Sequence, residues 1–184
     1  MTKLYDQLKE DHRNLVKVLD VLKRQIALYD TREEEGAEKP DSALILDIMD
    51  YIQHYPDRFH HPLEEACFDY LDEQNRGDAA ARDAIRAEHK ELEHSSSKVR
   101  TRLNAINLGE AVPLDKLHQT LDQFHTLQLD HLKREEKTVF RDIKALDDAA
   151  SAIILDRVEH RHDPLFAEVA NQQFNELIRQ LKYD

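Results

Sequence analysis

Apolar side chains recur along this chain at intervals of three and four, and in each of four stretches the stripe is interrupted by polar residues. The first stripe runs Leu4, Leu8, Leu15, Leu19, Leu22, Ile26 and Tyr29, and His12 fills its one wide gap. After the charged segment TREEEGAEKPD, which reads as a solvated loop, helical spacing resumes at Ser42 and passes through Ile45, Ile48, Ile52, Phe59, Leu63, Cys67 and Tyr70. Pro56 and Pro62 each remove a backbone donor and crowd the preceding turn, which predicts a kink or brief break in this second helix. A third stripe, Ile85, Leu92, Ser96, Val99, Leu103 and Ile106, has His89 in its gap. The fourth carries Leu114, Leu117, Leu121 and Phe124, then Gln128, His131 and Glu135, then Val139, Ile143 and Leu146. Beyond Asp147 the spacing predicts a shorter helix over AASAIILDRVEH. A last helix is predicted over DPLFAEVANQQFNELIRQLK, with Asp163 as cap and Pro164 at the first helical position.

This pattern predicts an all-α fold, an up-down-up-down four-helix bundle over residues 1–146, with accessory C-terminal helices over 147–184 packed on it in the same domain. Composition agrees, since 3 Gly and 5 Pro among 184 residues favour long helices, and a chain of this length builds a core without a staple. The net charge of −12 opposes non-specific binding to phosphate backbones and to anionic membrane surfaces. Neither nucleic acid nor membrane is therefore an expected partner. A single cysteine, Cys67, excludes an internal disulfide framework and an all-cysteine cluster; it reads as a buried structural thiol. With no signal-peptide core at the N-terminus and no run of 18 apolar residues, a cytoplasmic protein is expected.

The histidines, 11 in all, change the picture through their placement. In an antiparallel bundle His12 lies near the start of the first helix, His60 and Glu64 near the end of the second, His89 near the start of the third, and His131 and Glu135 late in the fourth. At a rise of about 1.5 Å per residue, each lies roughly 9 to 16 residues from the same end of the bundle, so the four locations share one layer. Residues at i and i+4 lie side by side on a helix, so His60 with Glu64, and His131 with Glu135, can each present an imidazole and a carboxylate to a common centre. That donor mixture suits iron, manganese or zinc better than calcium or magnesium, and a carboxylate from each of two helices can bridge two ions. Burying so many ionisable groups without a counter-charge would cost several kcal/mol or more, roughly; cations remove that objection.

The segments FHHPLEEACFDYL and DHLKREEKTVF resemble the His-x-x-x-Glu helices of the hemerythrin, or HHE cation-binding, family, and EDHRNL and RAEHKEL resemble its two single-histidine helices. The resemblance covers roughly residues 3 to 146, and the DPLF segment is similar to the tail of a bacterial subgroup. It implies a hemerythrin-like bundle holding two non-haem iron ions, with manganese or zinc as alternatives, on His12, His60, Glu64, His89, His131 and Glu135. Reversible oxygen carriers of the family have a second histidine one turn along the third helix, where this chain has Glu93. Glu93 either binds metal or accepts a hydrogen bond from an outer group. As a ligand it would enrich the site in hard, anionic donors and argue against simple oxygen carriage.

A lone histidine on an apolar stripe is more often a satisfied core residue than a ligand, but that reading does not explain four of them at one level. His61 and Glu65 share the i, i+4 spacing at about 100° around the helix from the first pair. They read as an exposed or outer pair, with His61 able to replace His60 if the Pro62 kink rotates the face. His94, His118, His125, His160 and His162 fall off the stripes and read as surface residues, while Tyr51 and Tyr55 read as helix-packing aromatics. Two functions are expected to compete. One is a dinuclear iron protein that reacts with or senses O2, peroxide or NO. The other is a non-catalytic module that reports metal status to a partner, a role with precedent in an iron-sensing ubiquitin-ligase subunit of the family. A homodimer is left open. A ferritin-like carboxylate bundle ranks below both, because its Glu-x-x-His signature occurs clearly only once, at Glu91 and His94, facing away from the stripe.

Overall fold

The computed structural model describes residues 2–159, 161–166 and 174–182. Helix α1 (Lys3–Thr31) starts where the Thr2 hydroxyl accepts from the Tyr5 N–H, and α2 (Ser42–His54) where the Asp41 carboxylate accepts from the Ala43 and Leu44 N–H groups. The expected break in the second arm is a π-helical stretch, Pro56–His60, in which the His60 N–H reaches back five residues to the Tyr55 carbonyl at 3.3 Å. From there α3 (His61–Glu73) continues the arm. A tight turn through Gly77, at φ +71° and pressed against Asp142 where a Cβ would collide, delivers the chain to α4 (Ala79–Asn107), capped by Asp78.

The fourth arm is shorter than its stripe predicts. Helix α5 (Leu114–Lys137) stops at Thr138, whose hydroxyl bonds back to the Arg134 carbonyl, and the chain restarts as α6 (Phe140–Lys144). Helix α7 (Asp148–Leu155) is capped by Asp147 and ends before VEH. Asp163 does accept from the Leu165 N–H at 2.9 Å, but residues 164–166 form a turn, not the start of a helix, and α8 spans Asn175–Lys182. The segment of the expected last helix between them lies outside the described residues.

The four arms, α1, α2 with α3, α4, and α5, form an all-α bundle in which α5 packs on both α1 and α4, α2 packs on α4, α7 packs on α3, and α8 packs on α1 and α2. Its core is split in two. One apolar cluster joins Leu15–Tyr29 of α1 to α2, Val99, Leu103 and the Leu117–Phe124 face of α5; the other joins Leu4 and Leu8 to α3, Ile85, Phe140 and Ile154. His12 falls between Leu8 and Leu15, and His89 between Ile85 and Val99, so a polar layer separates the two clusters. At about 1.5–3 kcal/mol per fully buried large aliphatic, these clusters supply the stability that such a layer draws on. Among the described residues no helix is long and apolar enough to cross a membrane.

Candidate metal centre

At the polar layer four imidazoles have a carboxylate hydrogen-bonded at Nδ1: Asp11 on His60 at 3.1 Å, Glu65 on His89 at 2.8 Å, Glu88 on His131 at 3.1 Å and Glu136 on His12 at 3.4 Å; Asp57 stands 3.5 Å from His61 Nδ1 without a hydrogen bond. An imidazole that donates from Nδ1 presents Nε2 as a lone-pair donor, so these outer carboxylates select one tautomer and one orientation. Glu88 is itself held by Arg134.

The inner faces converge on Glu64 and Glu135, both fully buried. Glu64 Oε1 lies 3.5 Å from His12 Nε2 and 3.4 Å from His60 Nε2, while its Oε2 lies 3.4 Å from His89 Nε2. Glu135 also divides, but with His131 in place of His60: its Oε2 lies 3.3 Å from both His12 and His131 Nε2 and its Oε1 3.3 Å from His89 Nε2. Each carboxylate thus faces two sets of histidines with different oxygens, which is the disposition of a bridge. The Nε2 atoms of His12, His60 and His131, both Glu64 oxygens and Glu135 Oε2 are buried without a hydrogen-bond partner. Unsatisfied buried donors and acceptors are expensive, and so dense a set fits cation binding. Three groupings have donor atoms close enough to share an ion: His12, His60 and Glu64; His61, His89 and His131; and Glu64, His89 and Glu135.

Of the residues expected from the sequence, His12, His60, Glu64, His89, His131 and Glu135 therefore meet at one centre, and Glu93 does not. Glu93 is exposed on α4 and lines a surface pocket instead. Its place in the cluster is taken by His61, which is buried, stacks on His89 with ring centroids 4.4 Å apart and meets His131 edge-on at 5.7 Å. The outer-pair reading of His61 assumed α-helical geometry, whereas the π-helical stretch ends at His60 and changes the local turn, so consecutive histidines both face inward. Pro62 withholds a further donor at the same point. The adjacent prolines were the signal in the sequence, but they do not say in which direction a face turns.

Among themselves the side chains of the centre set imidazolium against carboxylate. Burial pulls His60 and His89 down, but Glu64 and Asp11 around His60, and Glu135, Glu64 and Glu65 around His89, outweigh it and hold them up at about 9 and about 11. Glu64 is held well below the usual carboxylate range by His60, His12 and His89 despite its burial. His61 moves the other way, lowered by burial and by His89 and His60, so it stays a neutral donor.

His125 is also buried, contrary to its reading as a surface residue, because α5 packs against α1 on one flank and α4 on the other and so buries more than one stripe. His94 and His162 are exposed, His118 stacks on Tyr29 at 5.4 Å, and His160 lies outside the described residues. Cys67 is buried, and burial pushes its thiol up. Tyr51 and Tyr55 do pack in the core, yet their hydroxyls also donate, to Asp163 at 2.8 Å and to Asp11 at 2.9 Å. No curated protein and no solved structure matches the chain. The family model described as Hemerythrin HHE cation binding domain matches residues 3–140, which takes in every residue of the centre, and the chain belongs to that cation-binding family.

Proposed function

We propose that the chain is a non-haem dinuclear iron protein that reacts with or senses O2, hydrogen peroxide or NO. The observation that carries this reading is that Glu64 meets His12 and His60 with one oxygen and His89 with the other, while the donor atoms of His61, His89 and His131 lie together as a second group. His12 and His60 would hold one ion, His61, His89 and His131 the other, and both carboxylates would span them. Two such ions supply redox equivalents and Lewis acidity at an enclosed point. The chain's own part is to present neutral Nε2 atoms, keep the carboxylates ionised and exclude bulk water. Manganese or zinc would satisfy the same donors, so metal identity is tested first.

Protein purified without added metal, analysed for metal and then reduced anaerobically, should develop new near-ultraviolet and visible absorption on mixing with O2, peroxide or NO. Bound iron with no spectral response to any of the three would reject the reading. The alternative of a metal-status module is favoured by one feature: the Tyr55 hydroxyl joins Asp11, the partner of His60, to the Arg161 carbonyl of the C-terminal segment at 3.2 Å. That role predicts a protease-sensitive tail in the metal-free protein and a protected one after loading.

A further inference from the structure

The centre is built asymmetrically along the bundle axis. Glu64 follows His60 by four residues and Glu135 follows His131 by four, so both carboxylates lie one turn toward the cluster of Leu63, Cys67 and Val139. On the opposite side, toward the cluster of Leu15, Phe59 and Phe124, the arms place Leu15 one turn after His12, Leu92 one turn after His89 and Phe59 just before His60, all buried and apolar. Gln128 breaks that pattern. It stands three residues before His131 on the same buried face of α5, is 0% exposed, and neither atom of its amide has a partner. A buried amide left unpaired on both atoms costs stability, and polar groups in native cores are normally met by a partner.

We propose that Gln128 is a ligand-binding residue of the centre: its side-chain N–H donates a hydrogen bond to a small molecule held on the side of the ions away from Glu64 and Glu135. This inference rests on the dinuclear reading above. With both carboxylates shared, the ion on His12 and His60 has one imidazole fewer than the ion on His61, His89 and His131, which leaves it the room for an added ligand. Glu135 Oε2 approaches His12 as well as His131, so the face of α5 that carries Gln128 adjoins that position too. Beside Leu15, Leu92 and Phe59, the amide is the group able to recognise charge there. Hydrogen bonds to charged groups are stronger than those to neutral ones, and a dry layer strengthens them further, so Gln128 favours small ligands that carry negative charge on an exposed acceptor atom. Without such a ligand the amide keeps its desolvation cost.

Azide is the probe, and Gln128→Leu, which keeps the approximate shape of the side chain and removes the donor, is the variant. Thr120→Val serves as control, since the Thr120 hydroxyl lies two turns earlier on α5 and bonds back to the Lys116 carbonyl. In the iron-loaded, oxidised full chain, absorbance titration should give an azide affinity about tenfold weaker for Gln128→Leu and unchanged for Thr120→Val, with metal content retained in both. In zinc-loaded, isotope-labelled protein, saturating azide should move the side-chain NH2 signal of Gln128 downfield, a readout independent of any redox reaction; the signal is identified by its absence from Gln128→Leu. Equal azide affinity in Gln128→Leu and the unsubstituted protein, equal weakening by Thr120→Val, or an unmoved amide signal would overturn the proposal. Loss of metal from Gln128→Leu would make the amide a metal ligand and overturn it as well. Iron-loaded protein that binds azide but shows no response to O2, peroxide or NO counts against the function and not against Gln128, on which the azide comparison then decides.

Discussion

Asp11 Oδ2 accepts the Nδ1 proton of His60 at 3.1 Å. The same carboxylate accepts from the Tyr55 hydroxyl through Oδ1 at 2.9 Å, so it is held from the side away from the centre and in turn aims His60 Nε2 at Glu64. Replacing it by Asp11→Asn keeps the shape and removes the charge. Such a change behind a metal-bound histidine lowers metal affinity by about 10- to 100-fold. Competitive titration against a chelator should show that loss at one ion of the pair, with the fold intact by circular dichroism. Unchanged affinity would mean that Asp11 does not orient His60.

His61 and Glu93 make opposite predictions. His61→Ala should reduce bound metal from about two ions per chain toward one, because the position it shares with His89 and His131 loses an imidazole. Glu93→Gln, on an exposed side chain, should leave the stoichiometry unchanged. Elemental analysis of both variants decides between them, and the reverse result would restore Glu93 as the ligand.

Stability of the metal-free protein should fall as the solution becomes alkaline. His60 at about 9 and His89 at about 11 lie above their ordinary 6.5, so between those limits the folded chain binds more protons than the unfolded chain. Their contribution is complete below the unfolded value and is lost as pH rises through the folded values. Urea unfolding of chelator-treated protein should therefore give a lower free energy at about pH 9 than at about pH 7. Metal uptake should release protons and tighten over the same range, since cations replace them on the imidazoles. A flat stability profile would reject the account of the metal-free centre.

The Tyr51 hydroxyl donates to Asp163 Oδ2 at 2.8 Å, and Asn14 and the Leu165 N–H complete the surroundings of this buried carboxylate. Tyr51→Phe leaves the ring packing and removes a donor, which should cost about 1–3 kcal/mol. Hydrogen exchange should show the loss concentrated in residues 161–166 and not in the bundle. Uniform loosening of all helices would contradict a local role.

Gln128, one turn before His131 on α5, is fully buried with neither amide atom partnered. Gln128→Leu should raise stability by about 1 kcal/mol or more in urea unfolding, because an apolar group of similar shape carries no desolvation cost. A loss of that size would show that the amide is satisfied in solution.

Much of this protein was legible in the chain. Stripes of Leu and Ile at helical spacing determined which segments are helices and which faces are buried, because that burial is local in sequence. The antiparallel order of those helices brought His12, His60, Glu64, His89, His131 and Glu135 to one level, since spacing along a helix is a distance along the bundle axis. Only the tertiary structure decided the rotation about that axis. The π-helical stretch before His61 turns a second histidine inward, and α4 carries Glu93 out to the rim of a pocket. A change of one residue in local winding moves a side chain by about 100°, and its direction depends on what the neighbouring helices offer. The outer carboxylates Asp11, Glu88 and Glu136 were equally hidden, for each acts on a histidine of another arm and follows from how the arms are seated.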